Sequence, residues 1–401
     1  MTAKIPALVI GSGINGLGVA RSLARARVPA WLLDADVQRP EMRTRAAKPL
    51  AIRALHGDTL VDELVRLGST QFAGVRPVLF LTQEESVRTV SQQRDRLALL
   101  FRFNLPSAEL VETLQHKYGF QQLAERFDAP IPRLVHVRGA SDMPALESLR
   151  YPVAVKPGER DAGYSQQFKK AYRVESAGEC AALVKRILAV MADVVVQEWI
   201  EGADSAIHFC LQYLDRDGRV VASFTGRKVR SWPPQVGGTA SCLPAPEAGA
   251  ELARMTTQFF RDAGVVGMAS MEYKRDAASG QFRMVEPTIG RTDYQEEVAT
   301  LNGVNLPYAA YCCALGLPIP AAGTVRRSSA WRVQSEDTQS AAAQHQPPRS
   351  GFDRVDTVTD ALWRGSDPMP WLVETLAHVS RAIRNRMMKT MPGQSSEGNK
   401  T

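Results

Sequence analysis

Residues 267–287 read GMASMEYKRDAASGQFRMVEP. Two runs rich in Met, Tyr, Phe and Val flank the turn-former cluster DAASG at 276–280, a pattern that predicts a β-hairpin. With the turn at its centre, simple register sets Glu272 directly against Glu286. Two carboxylates about 5 Å apart repel by ~3 kcal/mol at an effective dielectric of ~20, so the pair calls for a cation. One or two carboxylates together with substrate phosphates are the usual protein contribution to a Mg²⁺ site. Thr288, two residues past Glu286, falls on the same face if the strand continues. Without further context the same residues also fit two solvated acids on an edge hairpin.

Outward from the hairpin, the neighbouring segments carry cations. Arg291 follows Gly290 and offers a planar fork for a phosphate or carboxylate. Upstream, FTGRKVRSWPPQVGGT at 224–239 places Arg227 and Lys228 in front of Gly237 and Gly238, suited to an anionic substrate or to a solvated turn. Further back, YPVAVKP (151–157) and DVVVQEWI (193–200) read as strands around a helix at 177–192, the outline of a small lobe. Lys156 ends the first of these strands, and Lys117 in LQHKYGF supplies a second positive charge. Glu198, followed by the backbone of Trp199 and Ile200, offers the acceptor and donor that an adenine edge requires.

At the start of the chain, IPALVI (5–10) leads into GSGINGLG (11–18), a helical stretch and the apolar run PAWLLDAD (29–36). Strand, glycine turn, helix and strand open a parallel α/β sheet, to which PVLFLT (77–82) adds a further strand. Gly11, Gly13 and Gly16 satisfy G-x-G-x-x-G, with Asp34 where a ribose-binding acid is expected. Taken alone, this motif favours an NAD(P)- or FAD-dependent oxidoreductase. At the other end, residues 335–350 (SEDTQSAAAQHQPPRS) are poor in bulky apolar groups and read as a linker. A helix about 370–389 follows, with Leu372, Leu376, Val379 and Ile383 on one face and Arg381, Arg384, Arg386 and Lys389 near its end. Docking onto the main body is its expected role, ahead of lying on a membrane surface.

Composition narrows the classes. Over 401 residues, 49 Lys and Arg against 42 Asp and Glu leave +7, which suits anionic ligands but is too small and dispersed for nucleic acid. The five cysteines have no metal-ligand spacing and an odd count, which argues against a disulfide framework; Cys312 and Cys313 read as packing residues. The opening residues lack a secretory pattern, and eighteen consecutive apolar residues occur nowhere. A cytoplasmic protein without a transmembrane segment is expected, its oligomeric state open.

Taken in order, YPVAVKP, VVVQEWIEGADSAIHF, FTGRKVRSWPPQVGGT, GMASMEYKRDAASGQFRMVEP and GVNLPYAAY resemble the ATP-grasp superfamily, in particular its carboxylate–amine ligase branch. The resemblance covers roughly residues 5–317 and lies in order and spacing, each motif being loose by itself. It implies an α/β chain: a Rossmann-like domain over 1–110, then a two-lobed α+β ATP-grasp domain over 111–320 (small lobe about 130–200, larger lobe about 200–320), then a C-terminal extension over 321–401. It implies ATP with Mg²⁺, or Mn²⁺, as cofactors and small-molecule carboxylate and amine substrates joined through an acylphosphate. By position, Lys117 and Lys156 resemble the phosphate-holding lysines, and Glu198, Trp199 and Ile200 the adenine hinge. Asp204 resembles a ribose ligand, Glu272, Glu286 and Thr288 the metal set, and Arg291, Arg227 and Lys228 the catalytic and substrate-positioning cations. Two features depart from the pattern: Thr288 stands where asparagine is usual, and the loop GERDAGYSQQF is poor in glycine, which passes phosphate cover to Ser165 or Lys170. A phosphotransferase and a non-catalytic nucleotide-binding protein remain alternatives within the superfamily.

Overall fold

The structure, a computed structural model, describes residues 4–158, 167–169, 171–319, 321, 323 and 327–390. Ser165 and Lys170 lie outside the described residues. Among the described residues, fifteen strands form three sheets. In the first, β1 (Ala7–Ile10), β2 (Ala30–Asp34), β3 (Lys48–Ala51) and β4 (Val78–Leu81) are parallel in the order β3-β2-β1-β4. The apolar run of β1 is fully buried, as expected for a strand covered on both faces. Gly11, with φ +91°, begins the turn into the helix Ile14–Arg25. A Cβ at Gly16 would run into the Gly11 carbonyl, so the third glycine of the motif permits close helix–sheet packing.

The second sheet is antiparallel and small: β5 (Leu134–Val137), β6 (Val153–Pro157), β7 (Tyr172–Val174) and β8 (Val194–Glu198) in the order β5-β8-β6-β7. Val153, Val155, Val194 and Val196 meet Val184 and Ile187 of the helix Ala177–Leu188 in a core of their own. The first sheet, by contrast, shares its core with the third: Leu8, Ile10 and Leu81 belong to the same cluster as Phe259, Met271 and Tyr273. The lobe carrying Lys156 is thus the separately packed part.

The third sheet has seven strands in the order β13-β12-β9-β10-β11-β14-β15. They are β9 (Ile207–Leu214), β10 (Val220–Trp232), β11 (Gly238–Pro244), β12 (Gly267–Arg275), β13 (Phe282–Ile289), β14 (Ser329–Arg332) and β15 (Thr357–Asp360). One face packs on the helix Gly249–Ala263, whose Leu252, Thr256, Phe259 and Phe260 are buried. Gly264 closes that helix in the left-handed region at φ +76°, with Gly264 and Val265 amides returning to Arg261 and Phe260 carbonyls.

Residues 335–350 are not the expected linker. Residues Gln334–Ala343 form a helix, and β14 and β15 on either side of it extend the seven-stranded sheet well past residue 320. What replaces bulky side chains is a buried ion pair. Arg230 Nε donates to Asp337 Oδ1 at 2.8 Å with both side chains 1% exposed, and Ser241 Oγ donates to the same oxygen at 2.6 Å. The helix Met369–Thr390 closes the described chain. No helix among the described residues is long and apolar enough to cross a membrane.

Candidate active site

The β12–β13 ladder pairs Ala269 with Ile289, Ser270 with Thr288 and Glu272 with Glu286. A register shift follows at once, because Tyr273 pairs with Met284 and leaves Val285 as the extra residue of a bulge. The two acids therefore oppose each other on one face, with Ser270 and Thr288 one step along it. Glu286 is exposed and Glu272 partly so. Lys228 on β10 reaches across β9 to this face and sets its Nζ 2.8 Å from Glu272 Oε2, with its side chain 4% exposed. Burial alone would lower the Lys228 pKa, but the charge and hydrogen bond of Glu272, with Asp293 and Asp204, outweigh it and hold the pKa above the ordinary value.

Lys156 projects from β6 with its Nζ 3.5 Å from Gln197 Oε1. Lys117 begins the helix Lys117–Arg126, and its amide donates to the Gly158 carbonyl at 3.1 Å. The start of that helix therefore lies beside the end of β6, two residues past Lys156. Glu198 ends β8 and accepts from the Arg150 amide at 3.0 Å through Oε1. Two cations lie over the indole of Trp199, Lys274 Nζ at 4.8 Å and the Arg173 guanidinium at 5.6 Å from the ring centre.

Three expectations are corrected by hydrogen bonding and strand geometry. The Trp199 amide already donates to the Pro152 carbonyl at 3.0 Å, so it is not the adenine donor; the Ile200 backbone and the Trp199 carbonyl keep that expectation. Asp204 is 4% exposed and both oxygens are taken: Oδ2 by the Ser231 amide (3.0 Å) and Gln344 Nε2 (3.2 Å), Oδ1 by the Gln235 amide (2.9 Å). It anchors the β10–β11 turn and is not placed as a ribose ligand. Arg227 and Lys228, adjacent on β10, face opposite sides of the sheet, and Arg227 Nε turns instead toward Glu247 at 4.0 Å.

Asp34 is committed as well. Its Oδ2 accepts from the Ser12 amide at 2.7 Å and the Ser12 hydroxyl at 2.6 Å, and its Oδ1 from the Asp36 amide at 3.0 Å. Being 3% exposed, it stabilises the glycine turn from within. Asn15, at the start of the following helix, donates to the carbonyls of Thr82 (3.2 Å) and Thr292 (2.9 Å) and accepts from the Thr292 hydroxyl at 2.5 Å. Arg291, next to Thr292, bonds Glu84 of the helix Glu84–Gln92 at 2.8 Å and leaves its buried Nε without a hydrogen-bond partner among the described residues.

Sequence reasoning missed three residues on the site face. Lys274 lies two residues past Glu272, and Ser270 two before, so strict alternation along β12 was the available signal. Burial lowers the Lys274 pKa, partly offset by Asp204, Glu201 and Glu272. Asp293 accepts from the Ser270 hydroxyl at 3.0 Å and from Gln295 Nε2 at 3.1 Å; nothing local in the sequence marks it.

The architecture has known counterparts. An ADP complex of purK, an N5-carboxyaminoimidazole ribonucleotide synthetase, superposes with a TM-score of 0.64 at 14% identity, covering 86% of this chain and 87% of the other. The biotin carboxylase domain of Hydrogenobacter thermophilus 2-oxoglutarate carboxylase, a dimer crystallised with MgADP, ADP and bicarbonate, gives 0.61 at 14%, covering 81% and 71%. The chain has the ATP-grasp fold. In sequence, the chain is 24% identical over 316 residues to a D-aspartate ligase of Enterococcus faecium strain Aus0004, covering 75% of the chain and 74% of that protein. No family model matches the chain.

Proposed function

We propose that the chain is an ATP- and Mg²⁺-dependent ligase. It transfers the γ-phosphoryl group to a small-molecule carboxylate, releasing ADP, and an amine then attacks the acylphosphate and displaces phosphate to leave an amide. The observation that carries this reading is the opposition of Glu272 and Glu286 across β12 and β13 with Lys228 in contact. The name of the Enterococcus faecium relative adds amino acids as the first substrates to try.

The donor set suits a hard divalent cation: two opposed carboxylates, with the hydroxyls of Ser270 and Thr288 on the same face. Glu272, Glu286 and Thr288 would hold it, and when bound it supplies charge neutralisation at the phosphate tail. Lys228 keeps its proton and fixes the Glu272 carboxylate, which makes it an electrostatic support and not a base. Lys117 and Lys156 hold phosphate oxygens, and Glu198 with the Ile200 backbone receives the adenine edge. Arg291, braced on Glu84, supplies positive charge for the anionic substrate. Such catalysis is mainly alignment and charge stabilisation.

The experiment is ADP release and product mass with ATP, Mg²⁺ and pooled acids and amines, amino acids first. Release only when acid and amine are both present supports the ligase. Release with acid alone points to a phosphotransferase, and no release from any pool overturns the proposal. Glu286→Gln, an isosteric change at an exposed position, is expected to lower turnover at least ~100-fold while leaving thermal unfolding within a few degrees of the parent.

A further inference from the structure

Of six histidines in the chain, two converge on one carboxylate in a place the ligase reading does not use. His116 is the N-cap of the helix Lys117–Arg126, its Nδ1 accepting the Gly119 amide at 3.3 Å. Its Nε2 lies 3.2 Å from Asp193 Oδ2. His136 on β5 brings its own Nε2 to 2.6 Å from the same oxygen, and Tyr118 stacks on that imidazole with centroids 4.2 Å apart. The three side chains are 31%, 12% and 16% exposed, and their ligand atoms all lie within 4.8 Å of one another.

We propose that His116, His136 and Asp193 bind a borderline divalent transition metal of the Zn²⁺ class, with solvent as the fourth ligand. Two imidazoles and one carboxylate are a zinc-type donor set, distinct from the all-oxygen set at Glu272 and Glu286. Tetrahedral ligands at about 2.0–2.1 Å from the ion stand roughly 3.3 Å apart. The 3.2 Å separation of His116 from Asp193 already meets this, and that of His136 must widen from 2.6 Å.

Protons balance without net release from the rings. The Gly119 amide needs the lone pair on His116 Nδ1, so in the metal-free state the proton of the neutral ring sits on Nε2 and is donated to Asp193. A metal on Nε2 moves that proton to Nδ1, and the long cap bond to Gly119 is given up in exchange. The same tautomer change in His136 replaces its hydrogen bond to Asp193. The three ligands come from different elements: a helix cap, β5 and the turn before β8. His116 precedes Lys117, and Asp193 stands against Gly158, two residues past Lys156. Bound metal therefore ties the helix that begins at Lys117 to the sheet that carries Lys156.

The test is titration of the tag-free, full-length protein with Co²⁺ alone, followed by Zn²⁺ competition and equilibrium dialysis. Expected are the visible d–d bands of a tetrahedral Co²⁺ complex, one equivalent bound, and displacement by Zn²⁺. His136→Gln keeps a polar group near Asp193 and Asp193→Asn keeps the shape; each should weaken binding at least tenfold with circular dichroism unchanged. Absence of the bands, or bands equally strong in a folded His136→Gln protein, overturns the proposal. Neither ATP nor an acid enters this assay, so its failure leaves the ligase reading untouched.

Discussion

Arg227 and Lys228 are chain neighbours that the sheet separates. Lys228 is sealed against Glu272, whereas Arg227 reaches toward Glu247 on the opposite face. Lys228→Ala is therefore expected to lower kcat/KM by ~10²-fold or more, and Arg227→Ala by less than ~3-fold, measured as steady-state ADP release. Equal losses would contradict the assigned faces. Glu296 sets a second expectation. It is fully buried, and burial, with the neighbouring charge of Glu297, pushes its pKa up from 4.5 to about 8. The folded chain keeps a proton there that the unfolded chain releases, so this contribution to stability declines as pH rises from about 4.5 to 8, with the full cost above 8. Glu296→Gln should remove that slope, gaining roughly 2–5 kcal/mol at pH 8.5 and little near pH 4.5, read from urea melts. At this scale the opposed acids were legible, because a turn centre and a two-residue period fix register. The commitments of Asp204 and Asp34 were not, because most of their partners, the Ser231 and Gln235 amides and Gln344 for one and Ser12 for the other, are brought in from other elements by the fold.

Among the elements, strands with dense apolar runs such as Val194–Glu198 announced themselves, and β14, β15 and the helix Gln334–Ala343 did not. That helix is polar and alanine-rich; it docks through Asp337 set opposite Arg230, Ser340 Oγ donating to the Ser231 carbonyl and the small Ala341, a signal that hydrophobic periodicity cannot carry. Asp337→Ala would leave Arg230 buried and uncompensated, at an expected cost of ~3–5 kcal/mol by chemical denaturation. Replacing both, Arg230→Met with Asp337→Leu, should recover most of that loss, since matched apolar groups avoid the unpaired charge. No recovery would mean that the helix docks by other contacts.

Across the whole molecule, the first sheet and the seven-stranded sheet share a core and are joined again at Asn15–Thr292 and Glu84–Arg291. The fold class was legible because parallel-strand runs at the start and a central hairpin are both local patterns. The joints were not, because they pair residues from opposite ends of the chain. At the glycine turn, position 16 has no room for even a methyl group against the Gly11 carbonyl. Gly16→Ala must therefore prise its helix off β1 and draw Asn15 from Thr292, beside Arg291. A lesion in the opening residues should then surface as a raised KM for the acid with that for ATP little changed: a remote hinge pin whose wear is felt at the jaws.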